Sequence, residues 1–128
     1  MLQNPKLNYV DRDSLNLLGL MLGGILEENI ASPRGSDLVR KLRGTVGVTE
    51  GKMQITLRFH EDGITVVRGI EPGTRARVKG SLDGLLQVSL GRGAVRSFLA
   101  GEVSFSGNPI FVLKMLPLLR VDRSRRAT

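Results

Sequence analysis

The sequence predicts an α+β domain in which helices cover one side of a five-stranded, mostly antiparallel sheet. Three observations predict this class. Segments with the 3.6-residue apolar period of helices lie at both ends of the chain, and segments with the two-residue period of strands lie between them. A chain of 128 residues is one domain by default. Its 41% hydrophobic and 24% charged residues are ordinary for a globular protein.

The N-terminal third predicts a lead-in and two helices. Residues 1–12 contain Pro5 and mixed polar residues, and predict irregular chain. We expect Asp13 to cap a helix that runs to Ile30, and Ser36 to cap a second, short helix. The inward positions of the two helices share helical spacing: Leu15, Leu18, Leu22, Ile25 and Leu26 in the first, and Leu38, Val39 and Leu42 in the second.

Four strands are predicted next. The first holds Val46 and Val48, and the clearest one follows it, with apolar residues at every second position from Met53 to Phe59. Asp62-Gly63 is a strong hairpin signal, after which Ile64 and Val66 form the return strand. Ala76 and Val78 mark the fourth strand.

The C-terminal part predicts two helices, a fifth strand and a last helix. Ser81 is expected to cap a helix over Leu82–Leu90, and a shorter helix covers Val95–Leu99. Val103 and Phe105 form the fifth strand. We expect Asn108 to cap the last helix, with Pro109 at its first position and Pro117 near its end. Eight of residues 110–119 are apolar, and Lys114 is their only charge.

Catalytic and metal chemistry have few residues to use. The chain has no cysteine and a single histidine, His60, which excludes disulfides and zinc sites of ordinary ligand type. Gly91-Arg92-Gly93-Ala94 lacks the third glycine of a dinucleotide loop, and it predicts a turn between helices. We therefore predict no catalytic residue, no metal site and no cofactor.

Basic charge indicates an anionic partner. The formal net charge is +7, and the densest group lies at the C-terminus, where residues 121–128 predict a basic tail. Contact with an anionic membrane surface is expected from Arg120, Arg123, Arg125 and Arg126. Nucleic acid is not the expected partner, because the polar face of the clearest strand has no aromatic side chain for stacking.

An apolar surplus leaves two interpretations open. One sheet face cannot cover the broadly apolar first helix, the two helices after Gly80 and the last helix on all sides. The helices then either cover one another or dimerise, or they enclose a cavity that takes an apolar ligand.

The order of elements resembles the sterol carrier protein type-2 domain from about Val46 to Leu119. The resemblance is carried by four segments in order: the hairpin at Glu61-Asp62-Gly63; Ala76-Arg77-Val78-Lys79-Gly80 leading into Ser81-Leu82-Asp83-Gly84-Leu85-Leu86; Phe98-Leu99-Ala100-Gly101; and Val103-Ser104-Phe105-Ser106-Gly107 before the last helix.

That resemblance implies a non-enzymatic lipid carrier, with residues 13–120 as a single lipid-binding domain. It implies an apolar tunnel for a fatty acyl, sterol-like or isoprenoid-quinone ligand. By position we expect the lining to be Leu85, Leu86, Phe98, Leu99, Phe105, Phe111, Met115, Leu116 and Leu119.

We expect a cytoplasmic location, because the chain has no cysteine and its C-terminus carries no peroxisomal Ser-Lys-Leu signal. The alternative function is a protein-interaction or homodimerisation module that uses the apolar helices, and nucleic-acid binding is the third.

Overall fold

The computed structural model describes residues 5–11, 13, 15–81 and 103–119. Within them, a sheet of six strands packs with three α-helices and one 3-10 helix, which confirms the predicted α+β class. The helices are α1 (Leu17–Ile30), α2 (Pro33–Lys41) and α3 (Pro109–Met115), followed by the 3-10 helix Leu116–Leu119. The strands are β1 (Lys6–Tyr9), β2 (Gly44–Glu50), β3 (Met53–His60), β4 (Gly63–Arg68), β5 (Ala76–Gly80) and β6 (Val103–Gly107).

The sheet has the strand order β1-β4-β3-β2-β5-β6. Three pairings are antiparallel (β2–β3, β3–β4 and β5–β6), and two are parallel (β1–β4 and β2–β5). The predicted hairpin at Asp62-Gly63 joins β3 to β4. The two helices predicted between Ser81 and Gly101, and the predicted tail at 121–128, lie outside the described residues.

Strand β1 is the sixth strand, formed where irregular chain was predicted. It pairs in parallel with β4, from Lys6 opposite Gly63 to Tyr9 opposite Val66. The amide of Lys6 donates to the carbonyl oxygen of Asp62 at 2.9 Å. Four residues of mixed character carry too little pattern to indicate a strand, and the open edge of β4 supplies the pairing that local sequence does not show.

One face of the sheet, the inner face, carries the core. Leu57 lies opposite Val46 and Val66, and Val46 lies opposite Ala76, so these residues share a face across four strands. All four are at most 1% exposed. The predicted core residues of the strands are buried as expected (Ile55, Leu57, Phe59, Ile64, Val66, Val78 and Val103) or half-buried against the core (Met53 and Phe105).

Helix α1 ends at Ile30 as predicted, but its cap is Asn16 rather than Asp13. The Asn16 side-chain oxygen accepts a hydrogen bond from the Gly19 amide at 3.0 Å. The same side chain donates through Nδ2 to the Gln54 carbonyl oxygen at 3.2 Å. Asn16 therefore both starts the helix and ties it to the beginning of β3, a tertiary contact that Asp13 does not make.

The cap of helix α2 lies four residues before the predicted one. Ser32 is the cap, and its hydroxyl accepts from the Gly35 amide at 3.0 Å, with Pro33 at the first helical position. The predicted cap, Ser36, is buried inside the helix, where its hydroxyl donates to the Ile30 carbonyl oxygen at 2.7 Å. Ser36 thus satisfies an otherwise unpaired carbonyl at the end of α1.

The opposite face of the sheet, the outer face, is crossed by the segment 69–75 that joins β4 to β5. The Gly69 amide donates to the Gln54 carbonyl oxygen at 2.8 Å, and the Arg75 amide donates to the Thr45 carbonyl oxygen, also at 2.8 Å. A Cβ atom on Gly47 would meet the end of the Ile70 side chain at 2.9 Å. The glycine therefore leaves room for Ile70 to lie flat on the sheet.

Candidate functional site

The last helix begins as the sequence predicts. The Asn108 side-chain oxygen accepts from the amides of Ile110 at 3.0 Å and Phe111 at 3.2 Å. Pro109 takes the first helical position, where its missing N–H leaves no hydrogen bond unmade. The α-helix ends at Met115, and the chain continues through Pro117 as a 3-10 helix, so Pro117 limits α3 as predicted.

Only one side of this apolar segment enters the core. Phe111 and Val112 are 5% exposed, Met115 is fully buried and Leu118 is 1% exposed. The other side carries Ile110, which is 62% exposed, and Leu113 and Lys114. The segment is apolar nearly all round in sequence, but the fold covers it on one side.

The segment meets the sheet through aromatic and aliphatic contacts. The rings of Phe111 and Phe59 pack edge to face with centroids 5.7 Å apart, an arrangement that aromatic pairs favour. On the outermost strand, Phe105 lies opposite Val78 and is half-buried against the same core. The structure therefore brings three predicted lining residues, Phe105, Phe111 and Met115, to one apolar interior.

The other predicted lining residues have no described side chain. Leu116 and Leu119 lie in the 3-10 helix, of which the backbone is described. Leu85, Leu86, Phe98 and Leu99 fall within 82–102, outside the described residues. The predicted membrane-contact residues, Arg120, Arg123, Arg125 and Arg126, also fall outside them. The lining as a whole and the tail contact stay predictions.

A residue that sequence reasoning missed fixes the end of this segment. Asn29, in the last turn of α1, is 8% exposed, and its side-chain amide donates to the carbonyl oxygen of Leu118. A buried amide needs such a partner. The signal in the sequence was a polar side chain in the helical row of apolar residues that contains Leu22 and Leu26.

Several polar side chains of β3, β4 and the loop that follows lie on the outer face of the sheet, away from this interior. On the outer face, the His60 Nε2 lies 2.9 Å from the Thr65 hydroxyl. Also there, Arg58 donates to Glu71 through Nε at 2.7 Å and through Nη2. These hydrogen bonds lower the pKa of the Glu71 carboxyl, while its burial acts in the opposite direction. In the described part of the chain, His, Asp and Glu form no group of three that could hold a metal ion.

In that same part of the chain, every helix is too short or too polar to cross a membrane.

The sequence matches the model of a known protein family. The sequence model described as the SCP-2 sterol transfer family matches residues 24–120, well over half of the chain. No curated protein sequence matches the chain.

Solved structures with the same fold cover most of the chain. A UbiJ-SCP2 ubiquinone synthesis protein is 17% identical, with a TM-score of 0.63, over 83% of this chain and 93% of that one. Sterol carrier protein domain 2 of Helicoverpa armigera is 16% identical, with a TM-score of 0.63, over 94% and 96% of the two chains. Apo sterol carrier protein 2 of Yarrowia lipolytica is 17% identical, with a TM-score of 0.59, over 86% and 92%.

Proposed function

Because the chain belongs to the SCP-2 sterol transfer family, we propose that it is a non-enzymatic lipid carrier of the cytoplasm. It encloses one apolar ligand between the inner face of its sheet and its C-terminal helices. The observation that carries the proposal is the apolar interior formed by Phe105, Phe111 and Met115 in a chain of this family.

The inner face suits a ligand without polar groups. Its apolar residues extend from the half-buried Leu7 on β1, across the four central strands, to Phe105 on β6. Each methylene that a ligand buries there contributes about 0.8 kcal/mol, so a chain of ten carbons can bind without a single hydrogen bond. Because this free energy depends on the apolar area that is buried and not on the position of polar groups, the interior can take a range of ligands, from fatty acyl chains to sterol-like molecules and isoprenoid quinones.

Phe105 is the residue of this interior with the most to gain from a ligand. It is half-buried, whereas its neighbour across the β5–β6 pairing, Val78, is 2% exposed. An apolar ligand over the β5–β6 side of the sheet would cover the exposed part of the Phe105 ring. The similarity to a ubiquinone synthesis protein supports including quinones among the ligands to be tested.

The absence of catalysis in this proposal is supported by the positions of three polar side chains in the described part of the chain. His60, Arg58 and Glu71 are all on the outer face, and a ligand on the inner face is separated from them by the sheet. We expect the carrier to hold its ligand without changing it, which lipid extraction and mass spectrometry before and after incubation would test.

Native mass spectrometry of the full chain purified from cells tests the binding itself. We expect a co-purified apolar ligand, and displacement of a fluorescent acyl probe by fatty acids or quinone analogues. Phe105→Gln is expected to weaken probe binding about tenfold, because it replaces an apolar contact surface with a polar one. The matched control is Val67→Gln, which changes a half-buried apolar residue on the outer face and is expected to leave probe binding unchanged.

The proposal fails if no lipid co-purifies and neither acyl nor quinone probes bind to the wild-type chain. Equal binding by the two variants would show that any ligand lies elsewhere than over β6.

A second candidate function, self-association, is favoured by the exposed side of α1. Leu17 is 63% exposed and Leu20 is 39% exposed, one helical turn apart. If the chain self-associates through this side of α1, it is dimeric in solution, and Leu17→Gln shifts the equilibrium toward the monomer. Light scattering across a concentration series distinguishes this state from a monomeric carrier.

A further inference from the structure

An open pocket lies at the end of the sheet where β2 and β5 begin. Its lining comes from the end of α2, the chain before β2, the chain before β5, and α3. The lining residues are Lys41, Leu42, Arg43, Arg75, Asn108, Ile110, Phe111 and Lys114.

The strand pairing explains why these residues meet. β2 and β5 are parallel, with Val46 opposite Ala76, so the residues that precede the two strands lie side by side. The Asn108 amide then donates to the Arg75 carbonyl oxygen at 2.9 Å, which places the start of α3 at the same end of the sheet.

Among the residues that the structure describes, eight line the pocket, of which four are cationic and none is a carboxylate. Lys41 forms a solvent-exposed ion pair with Asp37 at 3.1 Å. The Arg43 guanidinium donates to the carbonyl oxygens of Leu42 at 2.6 Å and Val39 at 3.4 Å, which are neutral acceptors, and it has no ion pair within the described part of the chain.

The remaining two cations have no ion-pair partner among the residues that the structure describes. The aliphatic part of Arg75 lies against Gly44, where a Cβ atom would meet its Cδ at 2.6 Å. Packing of the stem leaves the guanidinium at the surface. Lys114 follows one turn after Ile110 on α3 and is exposed. A pocket of this charge attracts a phosphate group.

The edge of α3 beside the pocket is apolar and exposed. Ile110 is 62% exposed and Leu113 is 67% exposed, and Lys114 follows directly. An apolar edge flanked by cations is the pattern of protein surfaces that lie in the interface of an anionic bilayer. A soluble anion would use the cations but not the two exposed aliphatic side chains.

Helix α1 provides the contrast within the same molecule. Leu17 and Leu20 are exposed there too, but no basic residue occurs in Leu17–Ile30, which contains Glu27 and Glu28. An anionic surface is attracted to the pocket and not to α1.

We propose that the basic pocket and the adjoining Ile110–Leu113 edge are the docking site of this protein on anionic phospholipid bilayers. The phosphate of one headgroup lies among Arg43, Arg75 and Lys114, and the two aliphatic side chains enter the acyl boundary. The site goes beyond the proposed carrier function and requires no ligand in the interior.

Charge reversal tests the cationic part. The double variant Arg75→Glu/Lys114→Glu of the full chain is compared with Lys52→Glu/Lys79→Glu, which changes the net charge equally. The control residues are exposed at the opposite end of the sheet, where Lys79 lies opposite Thr49. In sedimentation with vesicles of phosphatidylcholine and phosphatidylglycerol, we expect the pocket variant to bind at least about tenfold more weakly than wild type. We expect the control variant to retain most of its binding to these vesicles. Neither variant is expected to bind vesicles of pure phosphatidylcholine.

An introduced tryptophan tests the apolar part, because the chain has none of its own. Leu113→Trp is expected to show a blue-shifted emission with the anionic vesicles and quenching by lipids brominated on the acyl chain. Leu17→Trp, an equally exposed position on α1, is expected to show neither change.

Several results would overturn the proposal. If the pocket variant binds vesicles as well as wild type does, the pocket is not the docking site. The same conclusion follows if both charge variants lose binding equally. A blue shift at position 17 instead of 113 assigns docking to α1. Pocket-dependent binding of inorganic phosphate or of an oligonucleotide, without vesicle binding, identifies a soluble anion as the partner. Native mass spectrometry on the same preparation reports the interior ligand separately, so the failure of one proposal is distinguishable from that of the other.

Discussion

The inner and outer faces of the sheet are built from the same strands but are buried in different ways. On β3, Leu57 on the inner face and Thr56 on the outer face are both fully buried. Leu57 is covered by the helical layer and packs with apolar residues of neighbouring strands. Thr56 is covered by the segment 69–75, to which its hydroxyl bonds twice: it donates to the Gly69 carbonyl oxygen at 2.7 Å and accepts from the Glu71 amide at 2.9 Å.

The two faces of one sheet are therefore stabilised by different interactions, apolar burial on the inner face and matched hydrogen bonds on the outer face. Burial on the inner face is non-directional, so many apolar ligands or side chains of suitable volume are compatible with it. Burial on the outer face depends on donors and acceptors that match in position, because an unpaired buried polar group is costly. Ligand breadth is therefore expected on the inner face, and a fixed loop on the outer one.

The largest expected loss of stability follows a substitution on the inner face of the sheet. Leu57→Ala removes a fully buried side chain between Val46 and Val66 and is expected to reduce the free energy of unfolding by about 2–5 kcal/mol. Urea denaturation followed by circular dichroism measures it. The comparison is Val67→Ala on the outer face, where a half-buried side chain is expected to cost less than about 1 kcal/mol. Equal losses at the two positions would contradict the assignment of the core to one face.

An intermediate effect is expected for Thr56→Val, which keeps the shape of the side chain and removes its hydroxyl. The Gly69 carbonyl and the Glu71 amide then lose their partner under the loop, at a cost of about 1–3 kcal/mol. Thr56→Ser keeps the hydroxyl and is the matched control, with a smaller loss. Hydrogen exchange at the Glu71 amide should accelerate in the valine variant only, and unchanged exchange there would show that the hydroxyl does not hold the loop.

The smallest effect is expected for Glu71→Gln, and it depends on pH. Arg58 lowers the pKa of Glu71 in the folded state, so the carboxylate stabilises the fold at any pH above the unfolded glutamate pKa. That contribution is lost as the pH falls through the lower, folded pKa. With Arg58 43% and Glu71 28% exposed, the wild-type advantage at pH 7 is about 0.5–1 kcal/mol.

Urea denaturation midpoints at pH 7 and at pH 3 measure that advantage. The control is Asp37→Asn, which breaks the exposed pair with Lys41 and is expected to change the midpoint less at pH 7. An advantage of Glu71 that grows toward pH 3 would reverse the sign and exclude the ion pair as its source.

Elements with an apolar period or a clear start signal were predictable, whereas β1 and the caps of α1 and α2 were not. The β3 pattern from Met53 to Phe59 and the Asn108-Pro109 helix start are both found where the sequence places them. β1 was missed because its strand partner is nearly sixty residues away in the chain, at Gly63 and beyond. The caps of α1 and α2 were misplaced because several residues near each start have suitable side chains. The contact of Asn16 with Gln54 and the local hydrogen bond from Ser36 to Ile30 select among them.

The two candidate sites also differ in how far the sequence predicted them. Apolar residues of the C-terminal segment were predicted from composition, and the structure places Phe111 and Met115 in the core. The basic pocket was not predicted, because Arg43 and Arg75 are brought together only by the parallel pairing of β2 with β5. Parallel neighbours are joined by long connections, and local sequence does not reveal which strands they are.

By itself, the sequence determined which residues are apolar and with what period, and so the class of fold and the apolar character of residues 110–119. The tertiary structure decided which side of that segment enters the core, leaving Ile110 and Leu113 at the surface beside four cations. The physical reason is that hydrophobic burial is proportional to area and carries no direction. Strand order, hydrogen-bond register and the contacts of Asn16 and Asn29 supply the direction.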